Sequence, residues 1–178
     1  GYLAALGTSN DPVAGMPADL APTYDLGKVS QSTARFDPRH MLALNRKLLH
    51  GISFDAVKDR LPEGADEEFW LAVRGNLDLL REAKPWFDVV RGSIVPPVLE
   101  GEEDFLRAAL DVMPAEPWDT TTWSAWTSAI KLATGRKGKA LFLPMRLALT
   151  GEEHGPDIGT MLPLIGRDRA ALRLKIAA

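Results

Sequence analysis

The sequence has no cysteine, so disulfides, thiolate metal sites and cysteine nucleophiles are excluded. No apolar run approaches the roughly 20 residues that a membrane-spanning helix needs. No segment alternates apolar and polar residues long enough to make a strand, and there is neither an internal repeat nor a low-complexity tract. The three histidines, His40, His50 and His154, lie far apart and none has metal-ligand spacing. Gly138-Lys139 looks like the end of a phosphate loop. That loop needs Gly at 133 and Ser or Thr at 140, and both positions hold Ala. A Gly-x-Ser-x-Gly elbow is absent as well. Glu102, Glu103 and Asp104 read as a helix start, where carboxylates favour the dipole, and not as a catalytic pair. A self-contained enzyme is therefore not expected, and no cofactor is expected on this stretch.

What is present is ordinary globular material. The chain has 178 residues, of which 46% are apolar and 25% charged, with five Trp and six Phe to build a core. That is enough for one large or two small domains. The net charge of −3 announces no polyanion binder. Its distribution is more informative. Residues 136–178 hold eight Lys/Arg against four Asp/Glu, a net of +4, while residues 1–135 hold thirteen against twenty, a net of −7. The asymmetry permits an anionic partner at the C-terminal end; chance clustering on a solvated surface is the other reading. The opening Gly1-Tyr2-Leu3-Ala4-Ala5-Leu6-Gly7 lacks a basic leader and a long apolar core, so it does not read as a signal peptide. With no initial Met it is expected to continue something larger.

Helical punctuation dominates the rest. Residues 7–38 are rich in Gly, Pro, Asp, Ser and Thr and read as loops around one or two short helices. Asp37-Pro38 predicts an N-cap followed by Pro at the first helical position. Met41, Leu42, Leu44, Leu48 and Leu49 then follow at helical spacing up to Gly51. Ser53 predicts the cap of a short helix carrying Phe54, Val57 and Leu61. The span 65–83 reads as the clearest helix, with Phe69, Val73, Leu77 and Leu80 on one face and Asp66, Glu67 and Glu68 in its first turn. Trp86 to Val90 reads as another turn or two. Gly92, Pro96 and Pro97 mark a subdomain boundary. Helices follow at about 102–112 and 119–134, the second with Trp123, Trp126, Ile130 and Ala133 as its stripe. A basic turn, Gly135-Arg136-Lys137-Gly138-Lys139, leads into an apolar element at 140–149 that contains Pro144. Elements at 158–165 and 167–176 close the chain, split by Gly166. The fold class predicted is all-α, two packed helical subdomains, with divisions at 1–36, 37–95 and 96–178.

Two residue types could recognise a nucleic acid. Trp can stack on exposed bases, worth about 1–3 kcal/mol per base, but the periodicity of Trp70, Trp118, Trp123 and Trp126 favours core packing. Arg146 stands as the one charge in Ala-Leu-Phe-Leu-Pro-Met-Arg-Leu-Ala-Leu-Thr-Gly. It is either a snorkelling surface residue or a positioned recognition group.

The run Gly138-Lys-Ala-Leu-Phe-Leu-Pro-Met-Arg-Leu-Ala-Leu-Thr-Gly151, then His154-Gly-Pro156, then Leu162-Pro-Leu-Ile-Gly166, resembles the C-terminal region of bacterial glutamyl-tRNA synthetases. That region carries a Gly-Lys, an apolar Pro-x-Arg helix ending in Thr-Gly, a Pro about ten residues after the Arg, and a Leu-x-x-x-Gly helix end. Gly1-Tyr2-Leu3-Ala4 to Gly7 is similar to the segment that follows the catalytic signature loop. Phe36-Asp37 with Leu44-Asn45 is similar to the link into the anticodon-binding region. The family's ATP-binding signatures, of His-x-Gly-His and Lys-x-Ser-Lys type, do not occur in this sequence.

The resemblance implies an all-α anticodon-binding part preceded by a remnant of the stem-contact part. It implies a cytoplasmic, monomeric parent ligase that uses ATP and Mg²⁺ and binds glutamate tRNA, with glutamine tRNA left open. It places the first-base reader on Arg146. The Thr-Pro pair and apolar residue that hold the middle base fall on Gly155, Pro156 and Ile158; Gly155 departs from the Thr and lacks its hydroxyl. The third-base reader falls on Arg74. Arg136, Lys137 and Lys139 are the candidate phosphate contacts. A guanidinium fork suits base edges, and splayed loop bases can be read that way. The competing expectation is an all-α protein–protein scaffold, which would show an exposed apolar patch where a tRNA binder gathers its basic groups on one face.

Overall fold

The computed structural model describes residues 1–15, 17–31 and 36–178. The predicted loop at 32–35 lies outside the described residues. Ten α-helices are present among them and no strand: α1 (Tyr2–Ala5), α2 (Pro17–Leu20), α3 (Pro38–Gly51), α4 (Glu67–Val73), α5 (Ala83–Arg91), α6 (Glu103–Asp111), α7 (Thr122–Thr134), α8 (Lys139–Thr150), α9 (Ile158–Ile165) and α10 (Arg167–Ala177). The all-α expectation holds.

Local chemistry sets the helix ends. Asp37 caps α3 by accepting from the Arg39 N–H at 2.9 Å, with Pro38 at the first position. Asp66 caps α4 through the Phe69 N–H, and Asp157 caps α9 through the Thr160 N–H at 2.9 Å. Gly135 and Gly151 stop α7 and α8 in the left-handed conformation (φ +71° and +77°), where a Cβ would be strained.

The core is one continuous cluster running from Leu49 to Ala177. At its centre stands α9, which packs against α4, α5, α7 and α10. Ile158, Gly159, Met161, Leu162, Leu164 and Ile165 are all buried, so this helix is apolar nearly all round, as an interior helix must be. Around it α10 packs on α6 and α8, and α6 on α7. Trp126 fills the α6–α7 contact and donates its indole N–H to the Ala109 carbonyl at 2.9 Å. The N-terminal stretch joins this body lightly. Tyr2 packs edge-on against Phe36, and its hydroxyl accepts from the Asp37 N–H at 2.8 Å and donates to the Asp37 carbonyl at 3.0 Å. Along α3, Asn45 donates to the Asp78 carbonyl and Arg46 forms a fork on the Asp78 carboxylate at 2.5 and 2.7 Å.

Two predicted helices change shape, and two others bury a different face. The span 65–83 is α4, then a 3-10 turn at Arg74–Asn76, then extended Leu77, then a second 3-10 turn at Leu80–Glu82. Gly75-Asn76 is a poor helical pair, and the Glu82 carboxylate takes the N–H groups of Asp78 and Leu79 at 2.8 and 3.1 Å, holding the break open. The Ser53 helix shrinks to a 3-10 turn at Lys58–Arg60. On α3 only Leu49 is buried, while Met41, Leu42 and Leu48 stay exposed, and on α7 Ala133 is exposed.

Buried Arg173, 3% exposed, fastens these elements together. From α10 it donates to the Leu149 carbonyl at 2.8 Å and to the Val89 carbonyl at 2.6 Å, with a longer approach to Gly92 at 3.4 Å. These are carbonyls at the C-terminal ends of α8 and α5, which helices leave without an internal partner. Burial, and then the neighbouring Arg169, lowers its pKa to about 10. Arg173→Met strands two buried carbonyls, at roughly 1–3 kcal/mol each. We expect a loss of about 3 kcal/mol in urea unfolding and a melting temperature lower by roughly 10 °C. Arg173→Lys should recover less than half, because an ammonium cannot span two carbonyls with a planar fork. Wild-type melting of either variant would show that the clamp carries no stability.

Candidate nucleic-acid interface

Pro144 lies inside α8 and has no N–H, so the carbonyl of Ala140 loses its helical partner. Arg136 reaches back and donates to that carbonyl at 3.4 Å. The same guanidinium pairs with Glu102 and lies 4.4 Å above the centre of the Phe105 ring. Arg136 is thus engaged on three sides within the protein. Lys137 and Lys139, its neighbours in the basic turn, are exposed and make no hydrogen bond or ion pair with the described residues. From Lys139 to Arg146 is seven residues of helix, almost two full turns. The two side chains therefore leave the same side of α8, about 10 Å apart along its axis.

Arg146 is half-buried. Its Nη2 donates to the Pro156 carbonyl at 3.0 Å, while its Nε is buried with no partner. Burial lowers its pKa from the usual guanidinium value, and the Asp157 carboxylate pulls it back up. A guanidinium has five N–H donors, and among the described residues one hydrogen bond engages them here. Arg146 therefore stands braced by the 151–157 loop with donors to spare. That loop is held open at its root: the Thr150 hydroxyl donates to the Arg146 and Glu152 carbonyls at 2.8 and 3.2 Å and accepts from the Glu152 N–H at 3.1 Å.

Gly155 sits at the tip with φ +145°. A Cβ there would meet Nη2 of Arg146 at 3.0 Å and Cη2 and Cζ2 of Trp86 at 2.2 and 2.3 Å. Pro156 and Ile158 are buried behind it. Arg146, Gly155 and Pro156 are thus in contact, and Ile158 follows directly as the first residue of α9. Trp86 of α5 completes the group across 69 residues of sequence. Nothing local in the sequence marks a lone Trp near a helix start as the neighbour of a distant Gly.

Beside this group opens a concavity of about 720 Å³, lined by Pro85, Trp86, Val89, Ile94, Val95 and the turn Thr150–Glu152. Arg74, by contrast, belongs to the 3-10 turn after α4 and donates to the Ile52 carbonyl at 3.0 Å, the same oxygen that receives the Trp70 indole N–H at 3.1 Å. No group of three or more His, Asp or Glu is poised to hold a metal among the described residues, and none of their helices is long and apolar enough to cross a membrane.

Residues 98–178 match the family model described as an anticodon binding domain. The chain is 58% identical over 177 residues to glutamate–tRNA ligase 2 of Acidiphilium cryptum and 55% identical over 177 residues to that of Gluconacetobacter diazotrophicus. Each match covers 99% of this chain and 40% of the relative. Glutamate–tRNA ligase 1 of Brucella canis is 49% identical, over 94% of this chain and 38% of that protein. The chain therefore spans about two fifths of the length of the relatives it matches. Among solved structures, the glutamate–tRNA synthetase of Elizabethkingia anophelis superposes with a TM-score of 0.68 at 17% identity, covering 86% of this chain and 34% of that one, which shows a shared helical fold. Along 99% of its length the chain is therefore similar to a portion of these glutamate–tRNA ligases, and within it residues 98–178 match the anticodon binding domain.

Proposed function

We propose that this chain grips tRNA for a ligase that attaches glutamate to tRNA at the expense of ATP, and that it does so by reading the anticodon. The observation that carries this reading is the state of Arg146: braced by the Pro156 carbonyl, half-buried, and with guanidinium donors left over. Such a fork suits the edge of a base splayed out of the anticodon loop. By resemblance, Arg146 takes the first anticodon base, and Gly155, Pro156 and Ile158 take the middle one. Since Gly155 offers no hydroxyl, its contribution is backbone and shape. Lys139, on the same side of α8 as Arg146, and Lys137 in the turn before it supply phosphate contacts, and Arg136 fixes the turn that presents them. For Arg74 as third-base reader, the support is its partly exposed guanidinium; its bond to Ile52 leaves further donors. The partner proposed is glutamate tRNA. ATP and Mg²⁺ belong to the remaining three fifths of such an enzyme, which this chain does not span.

A bidentate arginine–base contact gives roughly 1–3 kcal/mol of discrimination, or about ten- to a hundred-fold. Arg146→Ala should erase preference for the cognate first base and change binding little when that base is already altered. Arg146→Lys should not restore it. A double-mutant cycle between Arg146→Ala and a first-base change measures the coupling directly. A coupling energy near zero, with lost stability instead, would remove Arg146 from the site.

The lysines should behave differently. Lys137→Ala with Lys139→Ala should weaken binding of every anticodon variant alike and flatten the salt dependence of log affinity by about 2. An unchanged slope means that these lysines do not touch the tRNA. ATP–pyrophosphate exchange by the pure chain should sit at background, since both nucleotide-binding signatures are missing from its sequence. Exchange that survives further purification contradicts this division of labour.

A further inference from the structure

Trp86, like Trp123, leaves its indole N–H without an acceptor among the described residues, whereas the three other indoles do not. Trp70, Trp118 and Trp126 each donate their N–H to a backbone carbonyl, at 3.1, 3.1 and 2.9 Å. Trp86 is half-buried and donates to none of the described residues. Its six-membered ring is pressed against the backbone of Gly155, so closely that no side chain fits at that position. The same glycine touches Arg146. Trp86 also lines the open concavity with Pro85, Val89, Ile94 and Val95.

Three carboxylate residues, Glu82, Asp88 and Glu152, also line the concavity. Asp88 there is paired with Lys84, and Glu82 is taken up by two backbone N–H groups, while the Glu152 carboxylate has no partner among the described residues. A lining that mixes apolar and aromatic side chains with carboxylates repels phosphate and suits the uncharged face of a planar ring. A nucleobase has such a face whatever its identity, and base–aromatic stacking is tolerant of sequence.

We propose that Trp86 is a base-binding residue: an unpaired anticodon base, splayed beside Arg146, stacks on its indole in the concavity between α5 and the 150–152 turn. Gly155 is the clearance that lets the indole reach the site. Arg146 confers identity, and Trp86 holds a base in place. The inference rests on the reading of this face as anticodon-binding.

The test uses the full chain, transcribed glutamate tRNA, and three versions of that tRNA, each abasic at one anticodon position. Trp86→Ala should weaken the intact tRNA about ten-fold. On one of the abasic tRNAs the same substitution should cost nothing, because the base it would have stacked is already gone. Trp86→Phe should retain most of the binding, whereas Trp86→Leu, which keeps apolar bulk without a flat ring, should not. Gly155→Ala, with the indole displaced by the new Cβ, should reproduce the Trp86→Ala pattern. The double variant Trp86→Ala/Gly155→Ala should bind no worse than Trp86→Ala alone. Two results overturn the role of Trp86 and leave the anticodon reading standing: unchanged binding by Trp86→Ala, or an equal loss on the intact and all three abasic tRNAs. If Trp86→Ala fails to melt cooperatively, equal binding by the Phe and Leu variants overturns the proposal instead. A wild-type chain that binds all three abasic tRNAs as tightly as the intact one removes the anticodon reading itself, and Trp86 with it.

Discussion

One buried guanidinium sets the geometry on which the rest depends. Arg173 grips the carbonyls of Val89 and Leu149, near the C-terminal ends of α5 and α8. Both are oxygens that a helix end exposes, and both lie at the negative end of a helix dipole, where a cation is favoured. The candidate site residues stand in matching positions upstream. Trp86 precedes Val89 by three residues, and Arg146 precedes Leu149 by three. Side chains on a helix lean toward its N-terminus and neighbour those three and four places away, so each of these projects from the turn just above the clamped carbonyl. Holding the two helix ends on one planar fork therefore holds an indole and a guanidinium on either side of Gly155. A helical body with no sheet to register its parts needs such a cross-link to place two side chains within a fraction of an ångström.

The same chemistry recurs across the C-terminal half and sorts its basic residues. Arg167 donates to the Pro114 carbonyl at 3.1 Å and Arg169 to the Ile165 carbonyl at 2.9 Å, while Arg136 supports the carbonyl that Pro144 leaves unpaired. With Arg173, four of the eight cations in residues 136–178 are committed to joints between elements. The local net charge of +4 is therefore a poor guide to what a polyanion meets. Partner geometry is the better one: among the described residues Lys137 and Lys139 have no hydrogen-bond or ion-pair partner, and Arg146 uses one donor. A basic stretch in a sequence mixes structural and presenting cations, and only hydrogen-bond partners separate them.

Much of the fold could be read from the chain because its helix ends are chemically explicit. Asp37-Pro38, Asp66, Gly135 and Gly151 each act where their side-chain or backbone chemistry requires. What could not be read has physical reasons too. The apolar period across 65–83 is genuine, and Phe69, Val73 and Leu77 are fully buried. Burial alone does not make those residues one helix, and Gly75-Asn76 with the Glu82 carboxylate supports a broken path that buries the same side chains. The α3 stripe has helical spacing, yet most of it finds no partner within the described residues. For the site, Arg146, Gly155 and Pro156 were visible as a motif, being within ten residues of one another. Trp86 was not, because a contact between positions 86 and 155 leaves no trace in the local pattern of either.

That contact also explains why position 155 is glycine here. Its φ of +145° already disfavours any side chain, and the indole occupies the space a Cβ would need. The steric exclusion runs in both directions. A residue larger than glycine at 155 demands a smaller or displaced residue at 86, and a tryptophan at 86 that keeps this pose demands glycine at 155. The two positions therefore form one unit of shape at the edge of the Arg146 site. A hydroxyl projecting from the loop and a ring projecting from α5 are alternative ways to fill the same few cubic ångströms. A hydroxyl offers a directional hydrogen bond that selects among bases, whereas an indole offers area and a flat face that accepts all of them. In this chain position 155 offers no hydroxyl and Trp86 offers a flat face, so under the proposed reading discrimination falls to the guanidinium of Arg146 beside them.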